Sequence, residues 1–326
     1  MTHQARMHSM PAALAYTCLA LSMLLVGGNI AVGKAILDEL PVFLFALLRF
    51  AIACLVLAPG MLLPAVRRRL DRQAAGGLFL QAFFGCFLFS LFILHGVRLT
   101  SATSAGIVLS ITPSLVALLA WLLLSERIAA RNSLAIGLAI AGMALLNLLE
   151  SGQGGSASLL GNALVLGAVL SEALFAIYSR RLSLSLHPWA MAFGVNLAGL
   201  LLFLPLAWPQ AMSFDWQAPS STTWQLLGFY SLSASVLSFL LWYTGISRVA
   251  ANVAGLFIGL MPLSAALVGV FALGERFAVS HALGMVLVLG AIALGAWPGR
   301  RPSGSAMGSR LQARQDSAPV ADTPGR

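Results

Sequence analysis

The stretch GAVLSEALFAIYSRR, residues 167–181, sets one carboxylate, Glu172, inside an otherwise apolar run. At about 1.5 Å per residue along a helix, Glu172 lies roughly 12 Å from the Arg180–Arg181 pair that closes the run. A charged side chain held that far from water costs about 2.5–3.5 kcal/mol on insertion scales, so it is expected to face a cavity or a partner. Two chemistries suit an acid so placed: binding a substrate amine, or carrying a coupling proton. A third reading is structural, an ion pair with Arg49, the only basic residue at comparable depth. A protonatable ion pair would serve as coupling element and structural contact at once.

Other polar residues in apolar runs are weaker candidates. Asn29, Asn162 and Asn196 are neutral amides able to bond backbone groups freed near helix irregularities, or to line a site. Tyr178, Trp242 and Tyr243 could line a cavity, although such rings also collect at membrane interfaces. Ser110 is a small hydroxyl in a small-xxx-small face with Gly106. His95 lies beside Arg98 near the end of its run and reads as interfacial.

Several chemistries lack their residues. The chain has no Walker P-loop, no GxSxG and no HExxH, so neither ATP-driven pumping nor hydrolysis by those motifs is expected. Cys18, Cys54 and Cys86 show no CxxC or Cys/His spacing and read as small apolar side chains, with no metal and no cofactor implied. The net charge of +9 does not indicate nucleic acid, because the basic residues sit between apolar runs and form no basic, aromatic-interleaved face.

The elements that must hold these residues follow from composition. Only 9% of the 326 residues are charged and 59% are hydrophobic, against about 25% charged in a soluble domain. Runs of about 20 apolar residues are needed to cross a bilayer. Ten are predicted, over about 12–33, 41–63, 75–97, 101–123, 132–149, 158–179, 189–209, 223–246, 250–273 and 281–298. Residues 1–11 read as a retained cytoplasmic N-terminus and 299–326 as a disordered cytoplasmic tail. With the N-terminus inside, fifteen of nineteen Lys and Arg fall on the cytoplasmic side. The positive-inside rule then places both termini in the cytoplasm.

The chain also repeats itself. GVRLTSATSAGIVLSITPSLVALLAWLLLSER (96–127) aligns without gaps on GISRVAANVAGLFIGLMPLSAALVGVFALGER (245–276), with ten identities in 32 positions. The identities include Gly106/Gly255, Pro113/Pro262 and Glu126/Glu275. The offset contains five predicted spans, an odd number, so the two halves (12–150 and 151–298) should cross the membrane in opposite directions. Inverted repeats are a hallmark of secondary transporters, with the site at the repeat interface. Pro113 and Pro262 fall mid-span and are expected to kink their helices, as gating elements do. Gly106 and Gly255 permit close helix approach. Glu126 and Glu275 read as interfacial partners of Arg127 and Arg276.

Motif order then resembles one family. GGNIAVGK in the first span, LLRF (47–50) in the second and the duplicated P…ER units are similar to the ten-helix, two-EamA-domain branch of the drug/metabolite transporter superfamily. The resemblance covers about residues 12–298. It implies an all-α polytopic fold of ten transmembrane helices in two inverted five-helix repeats, and export of amino acids, related metabolites or drugs without ATP hydrolysis. The family's first-half and second-half motifs usually place an aromatic where this chain has Val26 and Glu172.

The expected protein is therefore no enzyme but an exporter of a small amphipathic, amino-acid-like metabolite across the bacterial inner membrane. Protons would serve as coupling ion, the bilayer as surroundings, and a second copy as partner in a homodimer. Import or exchange of a nucleotide- or sugar-like solute is the alternative transport reading, for which only Arg49 lies deep enough to meet a phosphate. A membrane receptor or intramembrane enzyme is the reading from another class, and neither an output domain nor a catalytic constellation stands for it.

Overall fold

Proline and small polar residues set where the helices start. In a computed structural model, which describes residues 11–100, 105, 108–126, 128–150, 159–273 and 279–296, helix α1 (Ala12–Leu37) begins directly after Pro11 and α2 (Val42–Leu57) directly after Pro41. Proline's fixed φ and missing N–H suit a helix start. Asp71 caps α3 (Arg72–Leu99), accepting the Ala74 N–H at 2.7 Å. The chain continues through α4 (Thr112–Leu124), α5 (Ala130–Glu150), α6 (Leu159–Ser183) and α7 (Pro188–Ser213). It ends with α8 (Ser221–Ile246), α9 (Ala251–Phe257), α10 (Leu260–Leu273) and α11 (Val279–Ala296). All described helices up to Gly295 belong to one compact unit; the other, Ala296–Arg326, lies almost wholly outside the described residues. Also outside are residues 1–10, Gly106, Arg127, Glu275 and Arg276, and the segment 299–326 read as a tail.

Among the described residues, α1, α2 with its 3-10 extension to Leu62, α3, α6, α7 and α8 are each long and apolar enough to cross a membrane. Shorter apolar helices cover Thr112–Leu124, Ala251–Ala265 and Ala282–Ala296. Large apolar side chains stand outward, Leu55 at 75% and Trp121 at 55% exposure among them. An apolar exterior of this extent suits lipid, not water. The fold is thus all-helical and multi-pass.

The core is built across the two parts of the chain. Helix α7 packs on α2, α6 on α3 and α4, and both α8 and α10 on α1. Small residues permit the approach: Gly245 of α8 abuts Leu19 and the Ala15 carbonyl, and Gly255 of α9 abuts Val116. Gly27 of α1 lies against the backbone of Met261, whose Cα is 2.9 Å from where a Cβ would stand. Ser264 adds a bond to the same contact, its hydroxyl donating to the Leu24 carbonyl at 2.7 Å.

Pro113 and Pro262 correct an expectation. Neither kinks a continuous helix; each stands in the first turn of a helix that restarts after a break. Ser110 and Ile111 form a turn before α4, and Ile258 and Gly259 separate α9 from α10. A proline cannot donate to the carbonyl four residues back. The orphaned Leu109 carbonyl instead accepts the Thr112 hydroxyl at 2.7 Å, and the Ile258 carbonyl accepts the Met261 N–H at 3.0 Å. The spans expected at 101–123 and 250–273 are interrupted for this reason.

Two π-helical stretches were not expected. Phe83–Leu88 interrupts α3 and Ser231–Leu237 interrupts α8. A π turn shifts the hydrogen-bond register, and hydroxyls take up displaced carbonyls. Ser90 donates to Cys86 O at 2.6 Å, Ser231 to Leu227 O at 2.7 Å, and Ser233 to Phe229 O at 2.7 Å. Their separation along the chain comes close to the offset of the sequence repeat.

Candidate functional site

The two π stretches and the break before α10 surround one cavity of about 270 Å³. Helix α3 contributes Gly85, Cys86, Phe89 and Ser90, and α8 contributes Tyr230, Ala234, Ser238, Phe239 and Trp242. Ile258 and Met261 reach it from the break, Ser22, Met23 and Val26 from α1, Arg49 from α2, and Glu172, Phe175 and Ala176 from α6. Bulged turns widen a helix locally and commonly mark functional sites. Here they open space between helices that elsewhere pack closely.

Glu172 and Arg49 therefore share the cavity wall, both half-buried. Among the described residues no ion pair or hydrogen bond joins them. The Arg49 guanidinium lies 4.2 Å from the centre of the Phe50 ring and 5.8 Å from that of Tyr230. Ring faces carry partial negative charge and steady a cation. Arg49 is thus held by rings and not by the carboxylate, which leaves Glu172 to the cavity. Trp242, Phe175 and Phe239 supply an apolar flank beside it. Val26, the other position where the resembled family has an aromatic, lines the same cavity.

Most of the remaining described candidates do not line it. Trp242 does, but its neighbour Tyr243 is fully buried and its hydroxyl accepts the Gln81 Nε2–H at 3.1 Å. Gln81 also donates to the Ser179 hydroxyl at 2.6 Å, so α3, α6 and α8 meet in a buried polar layer just past the cavity. Tyr178 stacks on Phe84, centroids 6.1 Å apart. Ser110 is buried on the turn before α4. Asn29 donates to Leu25 O at 2.8 Å and accepts the Ser233 hydroxyl at 3.1 Å. Asn196 donates to Ala192 O at 2.8 Å and to Ser235 O at 2.9 Å. Both amides thus fasten the π stretch of α8 from neighbouring helices. Gly255, Pro113 and Pro262 serve the packing and restarts described above.

Because Asn196 holds backbone and not cargo, Asn196→Ala should cost stability without changing cargo affinity. A buried hydrogen-bonded donor is worth about 1–3 kcal/mol when its acceptor is left unpaired. Thermal unfolding in detergent should show the loss, and the half-saturating substrate concentration for transport should stay unchanged.

Sequence reasoning missed Ser22, Ser90, Cys86, Phe175, Phe239 and Ser238 as wall residues. Ser22 donates to Ser238 O at 2.8 Å, joining α1 to α8 at the cavity edge. Small hydroxyls and rings are too common in apolar runs to stand out without the π register that turns them inward. The pairing expected of Glu126 with Arg127 falls on a residue outside those described; among the described residues Glu126 accepts the N–H groups of Ala251 at 2.9 Å and Asn252 at 3.1 Å and lies 3.9 Å from Arg180.

An all-helical, multi-pass membrane protein with a charged cavity between its halves defines a class, that of membrane transporters. The comparisons make it specific. The EamA-like transporter family model matches residues 13–148 and again 159–296, and the chain belongs to that family, within the drug/metabolite transporter superfamily. It is 38% identical over 283 residues to YetK, an uncharacterized transporter of Bacillus subtilis (strain 168), covering 85% of each chain. It is 24% identical over 311 residues to YvbV, an uncharacterized transporter of the same organism, covering 95% of this chain and all of that one. A crystal structure 19% identical, covering 93% of this chain and 99% of that one, shares the fold with a TM-score of 0.71.

Proposed function

We propose that this transporter exports a small amphipathic, amino-acid-like metabolite across the bacterial inner membrane by alternating access. The observation that carries the reading is Glu172, a carboxylate at mid-helix on the wall of the cavity with no partner among the described residues. A charge without a partner at that depth is retained where it meets a ligand or a proton. In this reading Glu172 receives the cargo's amine, or a coupling proton in the cargo's absence. Trp242, Phe175 and Phe239 cover the cargo's apolar body.

The two matched segments would form inverted halves of five spans each, rocking about the cavity. The distribution of Lys and Arg supports cytoplasmic termini, and with them an exporter loading from the side where Arg180 and Arg181 stand. The test is a comparison of metabolites between a strain lacking the gene and the same strain overproducing the protein. An amine-bearing metabolite should accumulate in cells of the first and in the medium of the second. Identical distributions in both strains would end the export reading.

A further inference from the structure

Outside the cavity, two carboxylates from the first matched segment reach the second, and they stand at opposite ends of α8. At the Ser220 end, Glu39 accepts the Ser220 N–H at 2.7 Å and its hydroxyl at 3.2 Å. These donors hold the Glu39 carboxyl below the usual carboxylate range. At the Ile246 end, Glu126 accepts the Ala251 and Asn252 N–H groups and sits 3.9 Å from Arg180. Arg180 in turn donates to the carbonyls of Ile246 and Ser247, each at 2.8 Å. A helix of 26 residues separates the two contacts by about 39 Å, the depth of a membrane with its interfaces.

We infer that these are the two gates of the transporter: a Glu39–Ser220 clasp at one membrane face and a Glu126–Arg180 clasp at the other. This rests on the transport reading above, with α6 ending in the cytoplasm. Each clasp joins one half to the other, and neither touches the cavity. Each is backed by a layer that closes on it. Behind the Glu126 clasp lie Tyr243 and the Gln81–Ser179 bond. Behind the Glu39 clasp, Tyr230 packs edge-on against Phe45 with centroids 4.9 Å apart and faces Arg49.

The chemistry suits a latch. Glu126 and Arg180 keep 16% and 20% side-chain exposure, and Glu39 is exposed. Bonds bordering water exchange for solvent at small net cost, so they bias a closed state without locking it. A transporter whose halves rock must break one such contact while keeping the other. When Glu126 lets go, Arg180 keeps its bonds to the Ile246 and Ser247 carbonyls, so its charge is not left without partners.

Cys86 on the cavity wall is a native reporter. With Cys18 and Cys54 replaced by alanine, its labelling by a small membrane-impermeant thiol reagent can be timed in vesicles of each orientation. Glu126→Gln should raise the rate from the cytoplasmic face by about tenfold, and Glu39→Gln from the outer face by a similar factor. Arg180→Lys, which keeps the charge but loses the planar fork, should give a smaller rise on the same face as Glu126→Gln. Unchanged rates in both glutamine variants, or a rise on one common face, would overturn the assignment. If the two faces are exchanged, the clasps stand and the assigned orientation falls. Variants are compared only where gel filtration shows folded protein, and the readout needs no cargo, so it stands apart from a failed export assay.

Discussion

Glu172→Gln is expected to abolish export while raising thermal stability. The substitution keeps side-chain length and hydrogen bonding and removes the charge. A hydrogen bond to a charged group is worth about 1.5–3 kcal/mol, and each 1.4 kcal/mol is a factor of ten in affinity. Cargo binding through this carboxylate should therefore weaken roughly tenfold to a hundredfold, and proton coupling through it should end. Stability moves the other way. The carboxylate has no partner among the described residues, so folding bears its desolvation without return, and a neutral amide relieves part of the cost of about 2.5–3.5 kcal/mol. Sites kept for function at the expense of stability behave this way. Export from preloaded proteoliposomes and thermal unfolding in detergent read the two effects separately. A variant that unfolds earlier and still exports would make Glu172 a structural acid and remove it from the site.

Gly27→Ala should be the most damaging single methyl group in α1. The added Cβ would fall on the Met261 carbonyl, with the Met261 Cα 2.9 Å away. The obstacle is backbone, so no side-chain rotation clears it. Overpacking of this kind costs about 1–3 kcal/mol, and here the strain enters a helix start whose Met261 N–H already bonds the Ile258 carbonyl. Met261 and Ile258 both line the cavity, so transport should fall along with stability. Gly76→Ala is the control, because nothing lies within 4 Å of its Cβ position. It should hold or gain up to about 1 kcal/mol from helix propensity. Equal losses in both variants would show that α1 does not depend on this contact.

The two glycines mark how far the sequence reaches. Gly27 stands in GGNIAVGK and Gly76 in AAGG, and nothing local tells the one against a backbone from the one in open space. Long apolar runs were legible because lipid imposes length and composition directly. The acid at Glu172 was legible because charge at depth is rare. The helix breaks were half legible: Pro113 and Pro262 gave their place, but the turn before each depends on which donor claims the carbonyl a proline abandons. The π stretches were not legible at all. The serines of the α8 stretch fit a regular helix equally well, and the bonds it receives there from Asn29 and Asn196 come from other helices. Arg49 could be placed at depth, yet its seat between Phe50 and Tyr230 belongs to tertiary packing.

The cavity volume carries a consequence for selectivity. A space of about 270 Å³ has room for several water molecules. Water there would find few hydrogen-bond partners against Trp242, Phe175 and Phe239, and charged ones at Glu172 and Arg49. Cargo is therefore chosen in competition with water that is unevenly bound. A molecule with an apolar body releases the loosely held fraction and gains, provided its polar ends replace what the tightly held fraction gave up. A purely polar solute of the same size would displace that water for little return, so hydration alone makes the pocket favour amphipathic cargo.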